Sequence, residues 1–229
     1  MPFLTRNICI FRLKTQKMKF KNVYFINGNA YAGKSTMVKL LAERYDGICC
    51  EENYHNKLLG SLNKNEFPAL TYTRDLQDWS LFIRRTPDEY AAWIDACNNE
   101  CAKLEIEILE KLSREGKKIF VDTNIPTSIL HEISDTDHTL IMLADPKISV
   151  SRFFDRPDKE KQFIYQLLLS ESDPDAAIKN YRAILEKINS RENYEAFKNS
   201  GFNVIFRDEE RSIEDTLKLV ERALKLCND

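Results

Sequence analysis

The residues of this chain with the clearest chemical potential form one short segment near its start. Residues 28–35 match the pattern G-x-x-x-x-G-K-[ST] at every position. In such a loop, glycines allow backbone N–H groups to approach phosphate oxygens, and the following helix presents free N–H groups and the positive end of its dipole. The segment consists of Gly28, Asn29, Ala30, Tyr31, Ala32, Gly33, Lys34 and Ser35, and Thr36 follows it. The pattern predicts a nucleotide phosphate site.

Three side chains at the end of this loop have distinct predicted roles. Lys34 supplies a positive charge for the outer phosphates. The Ser35 hydroxyl can ligate Mg²⁺, and Thr36 is placed to donate a hydrogen bond to an inner phosphate. We therefore expect ATP and Mg²⁺ as the cofactors. The alternative is a chance glycine turn before a helix.

Asp122 is the second candidate, because it ends an apolar run that is predicted to be a strand beside the first one. A carboxylate at that place faces the phosphate cleft and can hold Mg²⁺ through water, as Walker-B acids do. We predict a metal site formed by Ser35 and Asp122. The alternative is an aspartate that caps the turn of residues 123–126.

Two arginines follow the predicted fourth strand, in the segment Arg152-Phe153-Phe154-Asp155-Arg156. Side chains four residues apart lie on one face of a helix, so Arg152 and Arg156 can point at the same anionic ligand. This arrangement predicts a lid over the phosphates. The alternative is a solvated charged face with Phe153 and Phe154 in the core.

Apolar runs and helical patterns alternate along the chain. The runs at residues 23–26, 48–50, 118–122, 139–143 and 203–206 are predicted strands. Helices are predicted at residues 35–45, 87–114, 159–170 and 174–199, and from Ser212 onward. This alternation predicts an α/β fold with a parallel sheet covered on both faces, in which ligands bind at the carboxyl ends of the strands.

Composition excludes several classes of function. The chain has 229 residues, 43% of them hydrophobic, and a net charge of −2, which does not favour nucleic acid as a partner. No run reaches the roughly 18 apolar residues of a membrane span. Six cysteines without a signal peptide predict reduced thiols and a cytoplasmic protein. Residues 1–17 are predicted to be a loose tail before Met18, or an extra edge strand.

With these features, the chain resembles P-loop small-molecule kinases of the shikimate kinase, gluconate kinase and nucleoside monophosphate kinase type. The resemblance implies one domain over residues 18–229, with a five-stranded parallel sheet of order 2-3-1-4-5. It further implies a helical substrate-binding insertion at residues 53–116 and a lid region at residues 146–173.

The same resemblance implies roles for individual residues. Lys34, Ser35 and Thr36 would hold the ATP phosphates and Mg²⁺. Arg152 would lie over the adenine, Arg156 would reach the transferred phosphoryl group, and Arg207 and Asp208 would lie near the adenine edge. Glu51 and Glu52 would stand where the family has its substrate-side acids. The Asp-x-Asp and Gly-Gly-Gly sequences of shikimate kinases are missing, which argues against shikimate as the acceptor.

The insertion contributes candidate substrate residues. Arg74, Arg84 and Arg85 can clamp an anionic acceptor, and Tyr54 can stack on a ring. Core packing is the alternative for the tyrosine, and surface ion pairs are the alternative for the arginines.

These residues together predict a kinase that transfers the γ-phosphoryl group of ATP to a hydroxyl or phosphate of a small molecule. Glu51, Glu52 or Asp122 would orient the acceptor and accept its proton. A nucleoside or nucleotide kinase is a narrower alternative, and a regulatory module that binds or hydrolyses ATP without an acceptor is another. The acceptor, the base preference and the choice between monomer and homodimer stay open.

Overall fold

The computed structural model describes residues 20–155 and 159–227. The predicted tail at residues 1–17 and the predicted lid residue Arg156 lie outside the described residues. None of the helices in the described part of the chain is both long enough and apolar enough to cross a membrane.

A parallel sheet of five strands forms the centre of the described structure. The strands are β1 Val23–Gly28, β2 Ile48–Cys50, β3 Ile119–Asp122, β4 Thr139–Leu143 and β5 Asn203–Phe206. Their spatial order is β2-β3-β1-β4-β5, so the predicted order is confirmed. Strands β1, β3 and β4 are buried along their whole length, which explains why they read as unbroken apolar runs.

Helices cover the sheet and fill the connections between strands. They are α1 Lys34–Arg44, α2 Pro68–Asp75, α3 Ser80–Ile83, α4 Pro87–Leu112, α5 Thr127–Ile133, α6 Pro146–Ser151, α7 Lys159–Leu169, α8 Pro174–Ile188, α9 Arg191–Lys198 and α10 Ile213–Ala223. Helices α1 and α10 pack in one apolar cluster, and α4, α5 and α9 pack in another that includes other residues of the sheet.

The connection between β2 and β3 is a helical insertion. It contains a 3₁₀ segment, Tyr54–Ser61, followed by α2, α3 and the 26-residue helix α4. Thr86 begins α4 with a capping box, since its hydroxyl accepts from the Glu89 N–H and the Glu89 carboxylate accepts from the Thr86 N–H. A third apolar cluster joins the insertion to α7 and α8, with Phe82, Tyr90 and Tyr181 at its centre.

Two predictions about local structure are wrong. The helix predicted for residues 174–199 is two helices, because the chain leaves α8 at Asn189 and Ser190 caps α9 by accepting from the Asn193 N–H. Arg152 and Arg156 were predicted to share a helical face, but α6 ends at Ser151 and residues 152–155 form a turn. Helices α5 and α6 were not predicted.

Candidate functional site

The predicted phosphate loop connects β1 to α1 at the carboxyl edge of the sheet. Three of its residues have positive φ: Gly28 at 128°, Tyr31 at 66° and Gly33, which caps α1, at 93°. A Cβ at Gly28 would overlap the carbonyl oxygen of Met142 on β4, so this position requires glycine for close approach as well as for φ. Helix α1 begins at Lys34, which leaves its first N–H groups free of helical partners.

Two side-chain contacts fix the loop against the segment after β4. The Asn29 amide donates to the Ala144 carbonyl at 2.8 Å and accepts from the Ala144 N–H at 2.8 Å. The Ser149 hydroxyl donates to the Ala30 carbonyl at 3.4 Å. Since Ala32 is also buried, the loop is anchored at several points before any ligand binds.

Lys34, Ser35 and Asp122 meet at the start of α1. The Ser35 hydroxyl donates to Asp122 Oδ2 at 2.6 Å, and Lys34 Nζ lies 3.7 Å from Asp122 Oδ1. The Asp122 side chain has no exposed surface, and its Oδ1 accepts no hydrogen bond from the described residues. Strand β3 supplies Asp122 beside Ile26 of β1, as the sequence predicted.

Burial raises the pKa of Asp122, although Lys34 and the Ser35 hydroxyl act in the opposite direction. The nearby Glu52 carboxylate adds to the increase. The charge of Asp122 is therefore incompletely compensated by the protein. A cation bound beside Ser35 and Asp122 would compensate this charge.

These residues fit a magnesium ion that accompanies a phosphate ligand. No group of three or more His, Cys, Asp or Glu side chains that could hold a metal ion occurs within residues 20–155 and 159–227. Mg²⁺ does not need such a group, since it is usually held by one or two protein ligands together with phosphate oxygens and waters. Ser35 and Asp122 are the residues that would hold it.

The structure separates the two glutamates that follow β2. Glu51 pairs with Lys39 of α1 at 2.8 Å, and both side chains are exposed. Glu52 accepts from the Asn124 amide at 3.3 Å and acts electrostatically on Asp122. Glu52 is therefore the better placed of the two to meet a ligand beside Asp122.

Arg152 and Arg207 both contact Tyr31 of the loop. The Tyr31 hydroxyl donates to the Arg152 carbonyl at 2.8 Å, and the Arg207 guanidinium donates to the Tyr31 carbonyl. Asp208, which follows Arg207, pairs with Arg211 at 3.4 Å. Arg152 and Arg207, which were predicted to lie near the adenine, are thus on two different segments, and both segments contact Tyr31 of the loop.

A cavity of about 860 Å³ lies at the carboxyl ends of β4 and β5. Residues 143–147, Val150, Ser151, the end of α8, the start of α9, Phe206 and Arg207 line it. Phe206 is 44% exposed, and Tyr194 is a second aromatic residue of the lining. Arg207 belongs both to this lining and to the contact with the phosphate loop.

Three of the four predicted substrate residues are held in structural contacts. Tyr54 packs against the core, its hydroxyl lies 3.5 Å from the Glu105 carbonyl, and burial raises its pKa. Arg74 donates to the Leu59 and Leu62 carbonyls and pairs with Asp75. Arg84 pairs with Glu171 at 2.8 Å, which ties α3 to the segment after α7.

Arg85 differs from the other two arginines. Its guanidinium carbon lies 4.1 Å from the Tyr72 ring centroid, with the Phe82 and Trp93 rings at 5.6 and 5.2 Å. Its Nη1 is buried and has no hydrogen-bond partner among the described residues. The Arg85 guanidinium is therefore packed among aromatic rings, and its Nη1 is still available to donate a hydrogen bond.

Sequence reasoning missed two buried glutamates of α4. Glu100 accepts from the Ala69 and Leu70 N–H groups at the start of α2. Glu105 accepts from the Thr123 hydroxyl at 2.7 Å and lies 2.9 Å from His55 Nδ1. The available signal is that both glutamates fall at helical spacing among Cys97, Cys101 and Leu104, on a stripe that is otherwise apolar.

No family model matches the chain, and a search of curated proteins gives no match.

Proposed function

We propose that this protein is an ATP-dependent phosphotransferase that acts on a small molecule. The observation that carries this proposal is the meeting of Lys34, Ser35 and Asp122 at the free N-terminus of α1, directly after a loop with the full phosphate-binding pattern. Asp122 is buried beside Lys34, and its Oδ1 still accepts no hydrogen bond from the described residues. A divalent cation that accompanies a phosphate would satisfy this oxygen.

The loop residues divide the work of holding the triphosphate. Backbone N–H groups of residues 28–36 surround the phosphates, and Lys34 neutralises charge on the outer ones. Ser35 and Asp122 hold Mg²⁺, which supplies charge neutralisation at the transferred phosphoryl group when bound. Thr36 lies in the first turn of α1 and is exposed, so its hydroxyl can reach an inner phosphate.

The cavity at the ends of β4 and β5 suits the base of the nucleotide. It adjoins the loop through Arg207, and its lining offers Phe206 and Tyr194 for contact with a flat ring. Arg152 and Asp208 stand on the two segments that border it. Arg156, which lies outside the described residues, keeps its proposed role at the transferred phosphoryl group.

The acceptor binds between Asp122 and the insertion. Glu52 orients its hydroxyl and accepts the proton while the oxygen forms a bond to the γ-phosphorus and the bond from that phosphorus to ADP breaks. We assign the contact with an anionic group of the acceptor to Arg85, because Arg74 and Arg84 are already paired with carboxylates. Glu51 is paired with Lys39 and has a smaller role.

The test is ATP consumption by the purified protein with Mg²⁺ against a panel of nucleosides, nucleoside monophosphates, hydroxy acids and sugars. We expect one class to raise turnover by orders of magnitude in the wild type. Arg85→Ala should raise the KM for an anionic acceptor at least about tenfold, the loss of one charge-assisted contact. Arg74→Ala, the matched control, should leave that KM unchanged.

Two results would contradict the proposal in different ways. If ATP is hydrolysed at the same rate with every acceptor, the protein is an ATPase or a regulatory module. If equal loss of activity follows both arginine substitutions, Arg85 acts only through packing, and the acceptor site lies elsewhere.

A further inference from the structure

Buried hydrogen bonds, joined at one point by the backbone of Ile125, form a chain from the insertion to the phosphate loop. The chain begins at His55 in the 3₁₀ segment, whose Nδ1 lies 2.9 Å from Glu105 Oε1 in a hydrogen bond. Glu105 Oε2 accepts from the Thr123 hydroxyl at 2.7 Å. Thr123 is the residue directly after Asp122, so the first half of the chain already links the insertion to the end of strand β3.

The second half of the chain leads from Thr123 to the loop. The Thr123 hydroxyl accepts from the Ile125 N–H at 3.0 Å, and the Ile125 carbonyl accepts from the Asn27 amide at 2.7 Å. Asn27 Oδ1 in turn accepts from the N–H of Gly28, the first loop residue, at 2.6 Å. The backbone of Ile125 thus joins the hydrogen bond from Thr123 to the hydrogen bonds of Asn27.

Burial makes this chain specific in its geometry. His55, Glu105, Thr123, Ile125 and Asn27 are each at most 3% exposed. Water cannot replace a broken link at this depth, so each bond constrains its neighbours. The far side of His55 is closed as well, because its Nε2 lies 3.2 Å from the Cys101 thiol, whose pKa is raised by burial.

We propose that this chain is the means by which the insertion positions the phosphate loop, with Glu105 and Thr123 as positioning residues. The inference rests on the proposed function, since it assigns the loop to a nucleotide and the insertion to an acceptor. A ligand that settles on the loop changes the constraint on Gly28, and the chain transmits this change to His55. Conversely, an acceptor bound in the insertion would act through the same hydrogen bonds to hold the loop in the position that binds phosphate.

The protein carries its own fluorescent reporters for a test that needs no acceptor. Its only two tryptophans, Trp79 and Trp93, both belong to the insertion. Trp93 donates through Nε1 to the Ala69 carbonyl at 3.0 Å, so its environment follows the arrangement of α2 and α4. Mg²⁺·ADP titrated into the protein should therefore change tryptophan emission, while calorimetry on the same samples measures binding itself.

Thr123→Val removes the hydroxyl that links both halves and keeps the shape of the side chain. We expect ADP affinity to fall about fivefold and the emission change at saturation to fall by at least half. Thr123→Ser should restore both. Thr139→Val is the matched control, because Thr139 is an equally buried threonine of the sheet that donates to Ser134 and lies outside the chain. It should lose stability but keep affinity and emission change.

The outcomes separate this inference from the proposed function. If Mg²⁺·ADP gives no binding heat to the wild type, the proposed function fails and this inference fails with it. If ADP binds but emission does not change, or if Thr123→Val responds as the wild type does, the positioning role is wrong and the nucleotide site stands. Should Thr123→Val not fold, Asn27→Ser breaks the chain at its other end and must reduce the emission change equally.

Discussion

The phosphate-loop end of the molecule, residues 28–36 with Asp122, and the helical insertion, residues 53–116, use charged side chains differently. At the loop end, Lys34 and Asp122 are buried 3.7 Å apart, and Asp122 Oδ1 has no hydrogen bond within residues 20–155 and 159–227. In the insertion, Glu100 accepts backbone N–H groups, and Arg74 and Arg84 face carboxylates. The charged side chains of the insertion bind other protein groups, whereas those of the loop end leave a carboxylate oxygen that a ligand can contact.

This difference explains why charged residues alone are a poor guide to the acceptor site. Each of the three arginines in the insertion has the chemistry to bind an anion. The structure gives two of them protein partners, and Arg85 is the exception because aromatic rings hold it. A residue with a hydrogen-bond donor that no protein group satisfies is the better candidate for binding the acceptor. Among these three arginines, only Arg85 has such a donor within the described residues.

The largest expected effect is at Lys34. Lys34→Ala removes a charge-assisted contact to phosphate of about 3 kcal/mol, so affinity for Mg²⁺·ATP should fall about 100-fold. Arg74→Ala, the comparison variant in the insertion, should leave this affinity unchanged and lower the melting temperature. Calorimetric titration and thermal unfolding of both variants measure the difference. Equal affinities in the two variants would remove the distinction between the two regions.

Glu100→Ala tests the structural use of charge in the insertion. The buried Ala69 and Leu70 N–H groups would lose their acceptor, so the free energy of unfolding should fall by about 2 kcal/mol. Glu107→Ala on the exposed face of the same helix is the control and should change it by less than about 0.5 kcal/mol. Urea unfolding measures both. ATP affinity that falls in Glu100→Ala would place Glu100 in the site.

Asp122→Asn should separate stability from function. Because the pKa of Asp122 is raised in the folded state, its contribution to stability is present at low pH and is lost as pH rises through that pKa. The amide cannot ionise, so at neutral pH the unliganded variant should be at least as stable as the wild type. Mg²⁺-dependent turnover should be lost. Strong destabilisation at neutral pH would show a structural ion pair with Lys34.

The smallest expected effect is at the start of α4. Thr86→Ala removes one half of the capping box and should lower the free energy of unfolding by about 1 kcal/mol. Thr86→Ser keeps the hydroxyl and should recover most of this loss in urea unfolding. ATP affinity should not change in either variant. A change in affinity would mean that the start of α4 affects the loop end.

Sequence reasoning succeeds where local chemistry determines the structure. Gly28 and Gly33 of the loop have positive φ, and Gly28 must also approach β4 closely, so the glycines of the sequence pattern correspond to requirements of the backbone. Strands β1, β3 and β4 are buried along their whole length, so unbroken apolar runs identify them. The order of the sheet was predicted from the family resemblance, and the structure has this order.

Other features depend on partners that lie far away in the sequence. Arg84 meets Glu171, which is 87 residues away, and Glu105 meets both His55 and Thr123. No pattern of neighbouring residues in the sequence predicts such pairs. The break between α8 and α9 was missed for another reason: neither glycine nor proline interrupts residues 175–199, and the cap at Ser190 is the local mark of a new helix.

The central claim is that a Mg²⁺-bound nucleoside triphosphate binds at residues 28–36. The most direct measurement is calorimetric titration of the wild-type protein with ATP, once with Mg²⁺ and once with EDTA. We predict one saturable site per chain, with affinity at least about tenfold higher when Mg²⁺ is present. Absence of binding, or equal affinity in EDTA, would contradict the assignment of Ser35 and Asp122 to a metal-assisted phosphate site.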